Sequence, residues 1–159
     1  MSSLFEAIHP APVGVEHTTC GAPRLLDVAA VSALSLESNV RAGFPSPAED
    51  FQAKRIDVLE RLVKHPQATY SMTVRGESMR EAGIFDGDVL LVDRAIKPAH
   101  GQIVVAVVDG DFTCKQLWHR GGRLKLKAAN PTFADITPTE GQTVEVWGVV
   151  IASIKQFKS

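Results

Sequence analysis

A serine that attacks a carbonyl needs a neighbour to take its proton. Two residues of this chain invite that reading. Gly76-Glu77-Ser78-Met79 follows Thr69 to Arg75, a stretch that alternates and is rich in β-formers. Ser78 therefore falls on the turn where a strand must end, with its hydroxyl open and the amides of Ser78 and Met79 free to face a developing oxyanion. A serine in a Gly-x-Ser turn is equally well read as an ordinary turn residue. None of the five histidines, His9, His17, His65, His100 and His119, has metal-like or triad-like spacing, and each reads as a loop or surface residue. The remaining base is a lysine. It must be largely neutral at working pH, so its pKa must fall well below about 10.4, and apolar burial is what achieves this. Lys115 stands mid-strand in Phe112 to Trp118, opposite the apolar Ile103 to Val108, sharing a face with Thr113 and Leu117. A lysine snorkelling off a strand fits the same pattern, and pattern alone leaves both readings open.

The elements that must position these residues are mostly strands. Asp88 to Val92 is a short apolar run and Gln102 to Val108 a stronger one. Asp109-Gly110 then signals a type I′ hairpin, with Asp111 to Trp118 as the returning partner. Arg123 to Lys127 follows Gly121-Gly122, and Thr143 to Ile154 reads as a long last strand in which Gly148 marks a bulge or kink. Ahead of them, Ser46-Pro47-Ala48-Glu49 is a capping box with proline at the first helical position. Ile56, Leu59, Leu62 and Val63 continue it at helical spacing, which predicts one helix ending near His65-Pro66. Residues 1–42 are broken by Pro10, Pro12, Pro23, Gly14 and Gly21 and read as an extended or loosely folded arm; Leu25 to Leu36 within it could be helix or strand. The expected architecture is mainly β: a compact domain over 43–159 made of short strands and hairpins, with one short helix in front and an extended N-terminal arm.

Residues 43–159 resemble the LexA/UmuD family of self-cleaving Ser-Lys peptidases. The resemblance runs in order through Gly43-Phe44-Pro45-Ser46-Pro47-Ala48, His65-Pro66, Ala68-Thr69-Tyr70, Gly76-Glu77-Ser78-Met79, Asp86-Gly87-Asp88, Val92-Asp93, His100-Gly101, Asp109-Gly110, Phe112-Thr113 and Gly148-Val149-Val150-Ile151. It implies Ser78 as nucleophile, Lys115 as general base, and a single cut in the chain's own arm between Ala42 and Gly43. A small residue followed by glycine lets backbone lie close to a nucleophile. Cys20-Gly21 has similar chemistry but lacks the Phe-Pro-Ser-Pro sequence that follows Gly43. The resemblance further implies a homodimer, stimulation of the cut by a RecA–single-stranded DNA filament, and no cofactor. The shortened product would serve a Y-family, UmuC-like polymerase subunit in error-prone lesion bypass during the SOS response. The arm is longer than is usual in this family, so the residues before about Arg41 align poorly.

Composition bounds the alternatives. The 159 residues are 45% hydrophobic and 22% charged, enough for one ordinary domain and an appendage. The net charge is −1, with two basic and four acidic side chains in 1–42 and 15 and 14 in 43–159, so neither part is a basic arm for nucleic acid or anionic lipid. A LexA-like or phage-type repressor needs a helix-turn-helix ahead of the cut, which proline-broken residues 1–42 do not readily build. A membrane-anchored signal peptidase needs an apolar span, and Ile103 to Val108 is far too short; a cytoplasmic protein is expected. A non-catalytic β-rich interaction module remains a third alternative. Cys20 and Cys114 form no zinc pattern or disulfide framework and read as unpaired thiols. Asp86-Gly87-Asp88 reads as a turn, with no metal site expected, and Arg123, Lys125 and Lys127 read as a charged, solvated strand edge.

Overall fold

The computed structural model describes residues 18–26, 32–36 and 53–159. In chain order they form β1 (Thr19–Cys20), β2 (Arg24–Leu25), β3 (Ser32–Leu36), β4 (Ala53–Asp57), α1 (Val58–Leu62), β5 (Thr69–Arg75), β6 (Val89–Asp93), β7 (Ile103–Val108), β8 (Asp111–Arg120), β9 (Arg123–Lys127) and β10 (Val144–Ile154). The protein is mainly β, and every strand pairing is antiparallel.

Short connections dictate the order of the main sheet. The β7–β8 hairpin turns at Asp109-Gly110, with φ of 48° and 91°, the positive values that a type I′ turn demands of both central residues. The strands run β1-β5-β6-β10-β7-β8-β9, with β2 also on β5. β1 pairs at once with β5, through Thr19↔Arg75 and Cys20↔Val74, and with β8, through Thr19↔Thr113. A sheet that would otherwise be open between β5 and β8 is thereby closed into a small barrel. Apolar side chains fill both of its faces. One cluster contains Met72, Val74, Met79, Leu90, Val92, Val105 and Cys114, and the other contains Val104, Ala106, Leu117, Leu126 and Val149.

Gly148 is where the long β10 passes from one partner to the other. The register against β7 slips between Val146 and Gly148, as expected of a bulge. A Cβ at this position would lie 2.7 Å from Val92 Cγ1 and 3.3 Å from the Asp93 carbonyl oxygen.

The expected helix forms, but it is shorter than its spacing predicts. Ala53–Asp57, including Ile56, is a strand pairing residue for residue with β3, and only Val58–Leu62 is helical. Helical spacing lost to a non-local partner whose ladder the local pattern does not reveal. The helix starts afresh at Asp57, whose Oδ1 accepts from the amides of Leu59 (2.9 Å) and Glu60 (3.1 Å), the bonds an N-cap aspartate supplies. The Ser46–Glu49 capping box lies outside the described residues. Of the stretch expected as an arm, β1 and β2 belong to the main sheet and β3 pairs with β4. Arg123, Lys125 and Lys127 are exposed on β9, at the end of the strand order.

Replacing Gly148 by alanine should lower stability by about 1–3 kcal/mol, the usual cost of overpacking. Urea unfolding of the variant beside the parent chain measures this.

Candidate active site

Ser78 is placed by a turn clamped from several sides. Its strand, β5, is tied to the following loop by Val74 N donating to Asp88 O (2.8 Å) and Gly87 N to Val74 O (2.9 Å). The Gly76 amide donates to Asp86 Oδ1 (2.8 Å), and Asn130 Nδ2 donates to Glu77 O (2.9 Å). The Ser78 carbonyl accepts from Ala129 N (2.8 Å). Met79 buries its side chain in the first apolar cluster, and its carbonyl accepts from Ala82 N and Ile84 N. The two carboxylates of Asp86-Gly87-Asp88 are spent on the fold. Asp86 holds the turn, and buried Asp88 pairs with Lys155 at 2.6 Å.

Lys115 is placed by the hairpin. It lies opposite Val104 in the β7–β8 register, and neither residue has any solvent exposure. Its Nζ is 2.7 Å from Ser78 Oγ, 3.1 Å from the Cys114 carbonyl oxygen and 3.2 Å from Thr113 Oγ1. Ser78 is equally inaccessible.

The bonding around Nζ satisfies either protonation state of the amine. Thr113 Oγ1 donates its own hydrogen to the Thr18 carbonyl (2.7 Å), so toward Nζ it can only accept, as can the Cys114 carbonyl. Two N–H bonds go to these two oxygens. Toward Ser78 Oγ an ammonium donates its third N–H, whereas a neutral amine presents its lone pair to the hydroxyl. Burial tips the balance toward neutrality: stripping water from an ammonium disfavours its charge, and the Lys115 pKa is pushed down to about 8 from an ordinary 10.5. At pH 7 about a tenth of such amines are neutral, against about one in 3,000 for an ordinary lysine. Burial also pushes the Cys20 thiol up to about 12 and raises Cys114 further. Both are free cysteines, Cys114 within the first cluster and Cys20 packed against it.

The structure thus brings Ser78 and Lys115 together and sets Met79 directly after the serine. Ala42 and Gly43 lie outside the described residues. Among the described residues the histidines do not enter the site: His65 Nδ1 lies 2.7 Å from Asp93 Oδ2, and His100 Nδ1 accepts from the His119 amide. Two residues of the site were not singled out as part of it by the sequence. Alternation places Thr113 on the strand face of Lys115, but nothing marks it as a partner of the amine. Thr18 is wholly buried and its Oγ1 accepts from the Ser78 amide at 2.7 Å. It comes from 60 positions earlier in the chain, and nothing local marks it.

The lowered pKa ties stability to pH. Between about 8 and 10.5 the unfolded chain holds a proton on Lys115 that the folded chain does not, so stability rises with pH across that window. The gap is worth up to about 3 kcal/mol. Denaturant midpoints should therefore climb between pH 8 and 10.5 in Ser78→Ala protein relative to the Ser78→Ala, Lys115→Met double variant; identical slopes would contradict a buried amine of low pKa.

Residues 35–151 match the family described as Peptidase S24-like. Protein MucA of Salmonella typhimurium is 44% identical over 117 residues, covering 72% of this chain and 79% of MucA. Protein SamA of Salmonella typhimurium is 39% identical over 118 residues, covering 74% and 81%. The LexA repressor of Cupriavidus taiwanensis is 39% identical over 122 residues, covering 77% of this chain but 56% of the repressor. The chain belongs to the Peptidase S24-like family of self-cleaving serine peptidases, on its UmuD-like side.

Proposed function

We propose that the chain is a self-cleaving peptidase in which Ser78 is the nucleophile, Lys115 the general base and the Ala42–Gly43 bond the substrate. The observation that carries this reading is the 2.7 Å approach of a water-free lysine amine to a buried serine hydroxyl. The Lys115 lone pair takes the Ser78 proton as Oγ bonds to the Ala42 carbonyl carbon. The oxyanion forms against the amides of Ser78 and Met79. The ammonium then returns its proton to the Gly43 nitrogen as the C–N bond breaks, and water, deprotonated by the same amine, releases Ala42 from Ser78. Leu36 and Ala53 are paired across β3 and β4, so the connection 37–52 that carries the bond is tethered at both ends. Such tethering gives a two-residue dyad the high effective concentration it needs.

On this reading residues 1–42 are the segment removed, and 43–159 the product. The UmuD-like relatives support a role for that product, as a cytoplasmic homodimer, as the accessory subunit of an error-prone, UmuC-like Y-family polymerase in the SOS response. A RecA–single-stranded DNA filament would stimulate the cut by favouring the pose in which the bond occupies the Ser78 cleft. A self-cleaving repressor is the second reading, favoured by the LexA similarity. MucA and SamA are covered over more of their length, which supports the first.

Incubation of the purified chain without partners, from pH 7 to pH 9, tests the reading. Self-cleavage should accelerate about tenfold as the Lys115 amine loses its proton and should level off above that. Mass spectrometry should find a product beginning at Gly43. Ser78→Ala should abolish the cut with the fold intact, and Lys115→Ala should nearly do so. A product beginning at Gly21 would move the site, and intact protein throughout would count against the dyad.

A further inference from the structure

The space beside Ser78 is already filled by the chain itself. Residues 18–26 run antiparallel along β5, held by Gly21 N donating to Thr73 O (2.9 Å) and Leu26 N to Thr69 O (3.0 Å). At the head of this segment Thr18 engages the site twice. Its hydroxyl accepts from the Ser78 amide, and its carbonyl accepts from the Thr113 hydroxyl that also neighbours Lys115 Nζ. The segment enters the cleft like a peptide substrate, by strand addition, yet its described residues are not posed for attack. The amide that should receive an oxyanion is capped by a side-chain hydroxyl. Among the described residues, the carbonyl beside the site is that of Thr18, and its oxygen points at Thr113 instead. Cys20-Gly21 lies further on, with Cys20 paired to Val74 and Gly21 bonded to Thr73, upstream of the Ser78 turn.

We propose that residues 18–26 are a built-in inhibitory strand, a pseudosubstrate that fills the cleft between β5 and β8 and must withdraw before the Ala42–Gly43 bond can reach Ser78. This rests on the peptidase reading above. Two strands cannot occupy one cleft, so the cleavage rate scales with the fraction of molecules in which the inhibitory strand is out. The strand also gives the cleft two states that a partner can bias. Anything that binds residues 18–26 when they are free of the sheet accelerates the cut without contributing a catalytic group.

Gly21→Pro and Thr18→Val weaken the docking in different ways. The proline removes the amide that bonds Thr73, while the residue before it keeps the extended conformation it already has. The valine keeps the shape of Thr18 and removes its acceptor. Each full-length variant is followed at alkaline pH for the product beginning at Gly43. In a parallel series carrying Ser78→Ala, iodoacetamide labelling of Cys20 reads docking without any cleavage, with buried Cys114 as the internal reference. We expect Gly21→Pro to label Cys20 several-fold faster than the parent and to cut at Ala42–Gly43 about tenfold faster or more, with Thr18→Val moving both in the same direction. Faster labelling with an unchanged or slower cut would overturn the inference and leave the peptidase reading standing. Unchanged labelling in both variants overturns it too, since a strand held by these bonds would loosen on losing them. A cut within residues 18–26 would make the segment a substrate and not an inhibitor. If no chain is cut at any pH, parent included, the peptidase reading fails and the inference with it.

Discussion

The site depends on keeping one amine out of water. A lysine at the protein surface is almost wholly protonated near neutral pH and cannot accept a proton from a serine. Lys115 escapes that condition because β7 and β8 sink its side chain into the barrel, opposite Val104 and on the face of Leu117. Burial without partners would be costly for any polar group. The Cys114 carbonyl and Thr113 hydroxyl satisfy the two N–H bonds of a neutral amine, and the Ser78 hydroxyl meets what is left. The same surroundings offer an ammonium no carboxylate in hydrogen-bond contact among the described residues. Neutrality is thus favoured by the exclusion of water, while the three oxygens satisfy the amine in either protonation state.

That exclusion is not the work of the β-domain alone. The barrel is open between β5 and β8 unless β1 bridges them, and the residue that completes the seal over the Ser78 amide is Thr18. Ser78 and Lys115 are therefore buried partly by a segment from the N-terminal portion of the chain. A site sealed in this way is closed to stray peptides and to water. Any backbone that took the segment's place would have to supply the same closure to keep the amine dry. A substrate strand in place of β1 would restore both the strand pairing and the low dielectric.

Much of this was legible in the residues. The strands from Thr69 onward, the Asp109-Gly110 hairpin and the Gly148 bulge announce themselves through alternation and turn chemistry, because each is set by neighbours a few positions away. Ser78 at a strand end and Lys115 amid an apolar strand were visible as candidates, but their union across 37 positions came from resemblance, since nothing in either local pattern refers to the other. What stayed hidden is non-local. Ile56 follows a helical spacing yet pairs with Ala33 in a strand. Thr18 sits in a proline-broken stretch that gives no hint of a place beside the nucleophile. Propensity reads a segment by itself, whereas both of these positions are decided by a partner strand far along the chain.

The charge state of Lys115 is the claim on which the rest stands, and it can be read directly. NMR titration of the Lys115 side chain, labelled at Cε and Nζ in full-length Ser78→Ala protein so that no cleavage intervenes, gives the midpoint of its deprotonation. A midpoint near pH 8, well apart from the other lysines, is the predicted result. A midpoint near the ordinary 10.5 would show a hydrated ammonium beside Ser78, and the chemistry described here would have no base.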